Sequence, residues 1–256
     1  MPFQRVAAEK LSQSVVRQIE QLILRGILRP GERLPSEREL SERFGVSRPS
    51  LREAVAELQE RGLLATRAGA GIYVADVLGS AFSPALIRLI ASHEEAVYDY
   101  VAFRRDLEAI AAERAALHGS DTDLKVIDTI FHKMEAAHKK RNPADEAELD
   151  AEFHLAILEA SHNVILLHMM RSIFDLLKQG IFFNRQMMFK SRTTRDLLLD
   201  HHRAINEALQ ARDAPAARAA VADHLSYVEG RLGDLKRAEK NEEVARLRYA
   251  HEQERN

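Results

Sequence analysis

The sequence predicts a mainly α-helical protein in two parts, an N-terminal winged helix-turn-helix followed by a C-terminal all-α bundle of six or seven helices. Three observations predict it. Three short helical patterns within residues 11–61 lead into two brief β-type runs around a glycine-rich turn. From about Pro84 onward the apolar residues recur with the helical period, and nothing reads as a strand. Charge changes near the same place. Residues 1–75 hold 12 Lys+Arg and 9 Asp+Glu, a net of +3; residues 76–256 hold 25 and 30, a net of −5, with all 11 histidines. The expected organisation is a winged helix-turn-helix over 1–75, a linker over 76–83, the bundle over 84–240 and a charged tail over 241–256.

In the front part, Val15, Ile19, Leu22 and Ile23 fall at helical spacing, and Gly26 ends a helix that begins at Leu11. Arg29-Pro30-Gly31 is a turn. Ser36 precedes Glu39 in the capping-box pattern and opens a short helix through Phe44, which Gly45 stops. Ser47 is an N-cap for a third helix, Pro49 sits harmlessly in its first turn, and Leu51, Val55 and Leu58 face inward until Gly62. Leu63–Thr66 and Ile72–Val74 flank Arg67-Ala68-Gly69-Ala70-Gly71 as a hairpin. Three helices, a tight turn between the second and third, and a hairpin make the winged motif.

In the back part, helices are expected at about 84–92, 94–118, 121–140, 144–160, 163–190, 194–211 and 214–250, with Asp121, Thr193 and Asp213 as caps. The chain from Asp234 is rich in Lys, Arg and Glu and reads as a solvated helix or a frayed end.

Composition excludes several classes of function. Apolar residues make up 46%, enough for an ordinary core. The absence of cysteine rules out a disulfide scaffold, a cysteine zinc finger, an iron–sulfur site and a thiol nucleophile. No run approaches the ~20 apolar residues of a membrane span, and the N-terminus has no signal-peptide core, so a cytoplasmic protein with no membrane partner is expected.

In a helix-turn-helix, the first residues of the third helix meet base edges in the major groove. Here they are Ser47, Arg48, Pro49, Ser50 and Arg52. Arginine reads guanine O6 and N7 because its fork meets both acceptors at once. Arg38 on the preceding helix lies close to the same groove, and the wing brings Arg67 and the backbone of Gly69 against the neighbouring minor groove or phosphates. Any one of these arginines alone would read as a solvated surface residue; the whole set, between correctly placed caps and breaks, reads as a DNA-binding face.

Leu34-Pro35-Ser36-Glu37-Arg38-Glu39-Leu40, Phe44-Gly45-Val46-Ser47-Arg48 and Leu51-Arg52-Glu53-Ala54 resemble the GntR family of bacterial transcription factors over residues 11–74. The resemblance implies binding of double-stranded operator DNA as a homodimer, with base and phosphate contacts from Arg38, Ser47, Arg48, Ser50, Arg52 and Gly69. Ile72 stands where many members have threonine, a departure in the wing.

Asp150 and His154, four residues apart, project from one helix face beside the apolar Leu149, Phe153, Ile157 and Leu158. Leu198, His202, Ile205 and Leu209 form an inward stripe, as do Ala217, Val221, His224 and Val228; His201 points roughly 100° away from His202. Three core-facing histidines and an aspartate could close around one divalent ion, and imidazole with carboxylate suits zinc, nickel, manganese or iron. Alternatively, each histidine is an ordinary hydrogen-bonded core residue, with Asp150 and His154 bonded to each other. The region 95–232 resembles the FCD effector domain of FadR-type GntR regulators, through the Asp-x-x-x-His pair, His202-Arg203-Ala204-Ile205 and Asp223-His224-Leu225.

That resemblance implies a divalent metal, zinc first, held by Asp150, His154, His202 and His224, and a small carboxylate completing its coordination. It also places Arg104 near the pocket as an effector-binding residue, to pair with the carboxylate or orient Asp150; otherwise Arg104 is a surface ion pair with Glu108. The wording of 81–112 and of Ser161-His162-Asn163-Val164 is most similar to the pyruvate-dehydrogenase-complex repressor and lactate-utilisation regulator branch, implying pyruvate, lactate or a related acid. The expected function is a transcriptional repressor, not an enzyme. The alternatives are a purely structural metal with no effector, or a metal-dependent enzyme. Against the enzyme, no H-E-x-x-H or nucleophile elbow occurs, and Glu152 points about 160° from the ligand pair.

Overall fold

The computed structural model describes residues 10–67, 70–76, 89, 93, 95–178, 188 and 192–254. Among them are nine helices and one two-stranded sheet, and the chain divides into two compact units, Met1–Ala81 and Phe82–Asn256. The mainly helical class and the winged helix-turn-helix with a helical C-terminal part are as the sequence predicts. The linker beyond Asp76, most of the helix expected at 84–92, Gly69, and most of 179–190 lie outside the described residues. No helix among the described residues is long and apolar enough to cross a membrane.

The first unit comprises α1 (Leu11–Leu24), α2 (Glu37–Phe44), α3 (Arg48–Glu60), β1 (Leu64–Arg67) and β2 (Gly71–Val74). Val15, Val16, Ile19 and Ile23 of α1 pack with Leu51, Ala54, Val55 and Leu58 of α3 into one core, which Leu34, Leu40, Leu64, Ile72 and Val74 complete. An eight-residue helix such as α2 is too short to persist alone, so this packing and its caps hold it. Ser36 Oγ accepts the Glu39 N–H at 3.3 Å, and Gly45 closes the helix in the left-handed region at φ 64°. The Glu39 carboxylate does not complete the box; it turns outward to Arg43.

Ser47 caps α3 by accepting the Ser50 N–H at 3.3 Å, which fixes where the recognition helix starts. β1 and β2 pair antiparallel with Leu64 opposite Val74 and Arg67 opposite Gly71. Residues 31–34 extend this sheet, with Leu34 N–H donating to Ile72 O and Val74 N–H to Glu32 O, both at 2.9 Å. The sequence shows there only a turn, because so short an extended run carries no period.

The second unit comprises α4 (Glu95–His118), α5 (Asp121–Lys140), α6 (Pro143–Ala160), α7 (Val164–Lys178), α8 (Arg192–Gln210) and α9 (Ala214–Glu254). α4 packs against α9, α6 and α8. Its buried Ala109, Ala111, Ala112, Ala115 and Ala116 let neighbouring backbones approach closely. Two expected caps are corrected. Ser120, not Asp121, caps α5, in a complete box with Asp123. Thr193 lies inside α8, which begins a residue earlier. Asp213 does cap α9, accepting the Ala216 N–H at 3.0 Å. Residues 237–253 of α9 are exposed, as the charge-rich sequence there requires.

Candidate metal centre and nucleic-acid interface

α6 carries Asp150 and His154 one turn apart, α8 carries His202 and α9 carries His224. All four are buried, and one ligand atom from each lies within 4.8 Å of every other. The imidazole centroids are 5.5 Å apart for His154 and His202, 5.1 Å for His154 and His224, and 4.5 Å for His202 and His224. Phe153, fully buried, sets its edge against His202 at 5.3 Å and seals one side of the cluster.

Hydrogen bonding is incomplete in a telling way. Both ring nitrogens of His202, both of His154 and Nδ1 of His224 are buried with no hydrogen-bond partner. His202 Nε2 lies 3.1 Å from Asp150 Oδ1, but not in hydrogen-bond alignment. A buried polar nitrogen without a partner costs about 1–3 kcal/mol. Several in one place leave room for a further partner such as an ion or a water. Three imidazoles and a carboxylate, all hard-to-borderline donors, fit a divalent transition ion. Burial pushes the His154 imidazole below its ordinary value against the pull of Glu108, and pushes His224 well below, helped by the neighbouring His202 and His154. Neutral imidazoles are the form a metal binds.

These shifts set a sign for acid sensitivity. The unfolded chain takes up protons near pH 6.5 that folded His154 and His224 refuse, so the unfolded state binds more protons below about pH 7. Stability of the chelator-stripped protein should therefore fall as pH drops from 7.5 to 5.5. His132 is shifted up by Glu135 and works the other way, but it is exposed and screened. A urea-unfolding midpoint that is unchanged or higher at pH 5.5 would contradict the reading.

Arg104 is not a surface residue. It does pair with Glu108, Nε to Oε1 at 2.6 Å, but both side chains are only 2% exposed. Arg104 Nη2 is buried without a partner, and the guanidinium lies 5.0 Å from the Phe174 ring. The second Glu108 oxygen lies 2.6 Å from His154 Nδ1. Burial raises the Glu108 carboxyl, but Arg104 and His154 outweigh it and hold it down at about 2. The sequence does not reveal Glu108 as part of the site, since an Arg and Glu four apart on a helix ordinarily form a solvated pair. His201 stays outside the cluster, stacked on Tyr227 at 5.1 Å. A second unforeseen feature is the buried Arg195–Glu146 pair joining α8 to α6, with Nη2 2.6 Å from Oε1.

On the first unit, Arg38, Ser47, Arg48 and Arg52 are exposed and Ser50 is partly so. Arg48 stands in the first turn of α3, and Ser47 Oγ and Ser50 Oγ are 2.9 Å apart. Arg38 pairs with Glu42 at 3.2 Å and Arg52 with Glu37 at 2.8 Å. Such exposed pairs are worth about 0–1 kcal/mol, so phosphate or guanine can displace them at little cost. Arg52 shares an open groove between α3 and the hairpin with Arg67, which stacks on Tyr73 at 4.4 Å, and with Arg33. Arg33 is a third cation there that the motif did not single out.

Residues 11–74 match the family of bacterial regulatory proteins called gntR, and residues 99–227 match the FCD domain. The chain is 34% identical over 227 residues to the putative L-lactate dehydrogenase operon regulatory protein of Escherichia coli, covering 87% of this chain and 86% of that one. It is also 34% identical over 224 residues to the Glc operon transcriptional activator of the same organism, covering 86% of this chain and 88% of that one. To LutR of Bacillus subtilis it is 31% identical over 209 residues, 81% of this chain and 94% of that one. Among solved structures, a GntR protein of Streptococcus agalactiae is 27% identical and covers 85% of this chain and 98% of its own, at a TM-score of 0.50. These relatives are transcriptional regulators, not enzymes.

Proposed function

Because the chain belongs to the gntR family of DNA-binding transcriptional regulators and carries an FCD domain, we propose that it is a cytoplasmic repressor, acting as a homodimer, whose operator affinity is controlled by a small carboxylate held at a divalent metal in the C-terminal bundle. The observation that carries this reading is the buried cluster of Asp150, His154, His202 and His224 with its unpartnered ring nitrogens. These four residues would hold the ion, zinc first, with nickel, manganese or iron as other fits to the donor set. The bound ion would supply positive charge at which carboxylate oxygens complete its coordination. Arg104 has a buried, unpartnered Nη2 donor and supplies a second, protein-borne anchor for an acid.

An acid anchored there touches groups on α4, α6, α8 and α9, so it favours whichever arrangement of those helices fits it better. It shifts operator affinity only by that difference. Operator contacts come from Arg38, Ser47, Arg48, Ser50, Arg52 and Gly69. Since relatives are named for an L-lactate dehydrogenase operon, the acid is lactate, pyruvate or a related 2-hydroxy or 2-oxo acid.

Thermal unfolding of the metal-loaded chain tests the sensing claim. A ligand at a hundred times its dissociation constant stabilises by about 2.7 kcal/mol, which for a protein of this size raises the melting temperature by roughly 5–10 °C. Lactate or pyruvate should do so, and acetamide should not. If no 2-hydroxy or 2-oxo acid shifts the transition, the metal is structural and the sensing claim fails.

A further inference from the structure

Glu108 does not belong to the ligand set, yet both of its oxygens face the buried cluster: Oε1 accepts from Arg104 Nε and Oε2 lies beside His154 Nδ1, each at 2.6 Å. A ring nitrogen bearing a lone pair would be repelled by a carboxylate oxygen at that distance, so the proton of the neutral imidazole belongs on Nδ1. The contact is short of hydrogen-bond alignment, and a small ring rotation would bring it in line. Nε2, on the other side of the ring, then presents its lone pair 3.9 Å from Asp150 Oδ1, among the other donors. No carboxylate from outside the ligand set faces a ring nitrogen of His202 or His224 among the described residues. Among the described residues His154 is therefore the one histidine of the three with a carboxylate from outside the ligand set against a ring nitrogen; the carboxylate beside His202 Nε2 is Asp150, itself a member of the set.

We propose that Glu108 is a positioning residue for the metal centre: clamped by Arg104, it fixes His154 as the Nδ1–H tautomer and aims Nε2 at the ion without touching it. The proposal rests on the metal reading above and extends it from the ligands to α4. α4 packs on α6, α8 and α9, the three helices that carry the ligands, so Glu108 ties its position to the state of the centre. Carboxylates behind ligating histidines commonly affect metal affinity by about 10–100-fold.

Two measurements on the full-length chain test it. In the chelator-stripped wild type, long-range ¹⁵N–¹H spectra of the imidazoles should show His154 as the Nδ1–H tautomer; the Nε2–H form there would overturn the proposal without any variant. Zinc affinity, measured by competition with a chromophoric chelator, should fall about 10–100-fold in Glu108→Gln. Glu108→Asp keeps the charge and should recover part of the loss. The melting temperature of each stripped variant separates weakened folding from weakened binding. If stripped Glu108→Gln melts as the wild type does and binds zinc within twofold of it, the proposal is wrong. If the wild type binds neither zinc nor nickel, the metal reading itself fails and the affinity claim falls with it, whatever the tautomer.

Discussion

His202→Ala should release the metal and abolish the response to lactate or pyruvate while leaving acid-free operator affinity within about twofold. His202 is one of the four residues proposed to hold the ion, and its ring is central: it lies 4.5 Å from His224 and 5.5 Å from His154, centroid to centroid, with Nε2 3.1 Å from Asp150. Losing a ligand should weaken zinc binding beyond the roughly 10–100-fold typical of removing an outer carboxylate, so elemental analysis after gel filtration should find well below one ion per chain. The substitution also opens a cavity beside Phe153, so a stability loss of about 2–4 kcal/mol accompanies it. The residues proposed to contact the operator all lie in the first unit and the four proposed metal ligands in the second, which is why intrinsic DNA affinity should survive. A variant that keeps a full equivalent of zinc would remove His202 from the ligand set.

Arg48→Ala should weaken binding to a duplex selected from a random-sequence pool by about 1–3 kcal/mol, or roughly 5–150-fold. Arg48 is exposed in the first turn of α3 and has no ion pair among the described residues to surrender. Arg52→Ala should act in the same range and flatten the salt dependence by a similar amount, since each change removes one cation and DNA already draws Arg52 away from Glu37 in the wild type. Neither change touches the metal centre, and metal content should stay at the wild-type level. Fluorescence anisotropy at two ionic strengths reads both effects. Normal operator affinity in the Arg48 variant would mean that α3 does not enter the groove by its N-terminal turn.

Much of this architecture is legible in the chain because its signals are local. Ser36 and Ser47 before helical runs, with Gly45 and Gly62 after them, fix the small helices of the first unit. The i, i+4 spacing of Asp150 and His154, with inward stripes through His202 and His224, names four residues that fold into one cluster. Glu108 was not legible for an equally physical reason. α4 carries buried residues on much of its circumference, from Val97 through Ala116, so no single stripe says which way Arg104 and Glu108 point. A charged pair four apart reads as solvated unless the helix is known to be central. The same blindness hid Arg195 and Glu146. Neighbouring cap formers defeated finer assignments: in Gly119-Ser120-Asp121 two residues are competent, and only the backbone shows that Ser120 caps. Residues 31–34 join the sheet through contacts with β2, information that their own sequence does not hold.

The central claim is that a metal-held acid in the bundle governs a DNA reader at the front of the chain. Anisotropy of the selected duplex with the full-length protein tests it directly, titrating L-lactate and pyruvate against the zinc-loaded and the chelator-stripped forms at constant salt. The expected result is a change in operator affinity of tenfold or more in the zinc-loaded form and none in the stripped form. An equal response in both forms, or no response to either acid when zinc fills the site, would contradict it.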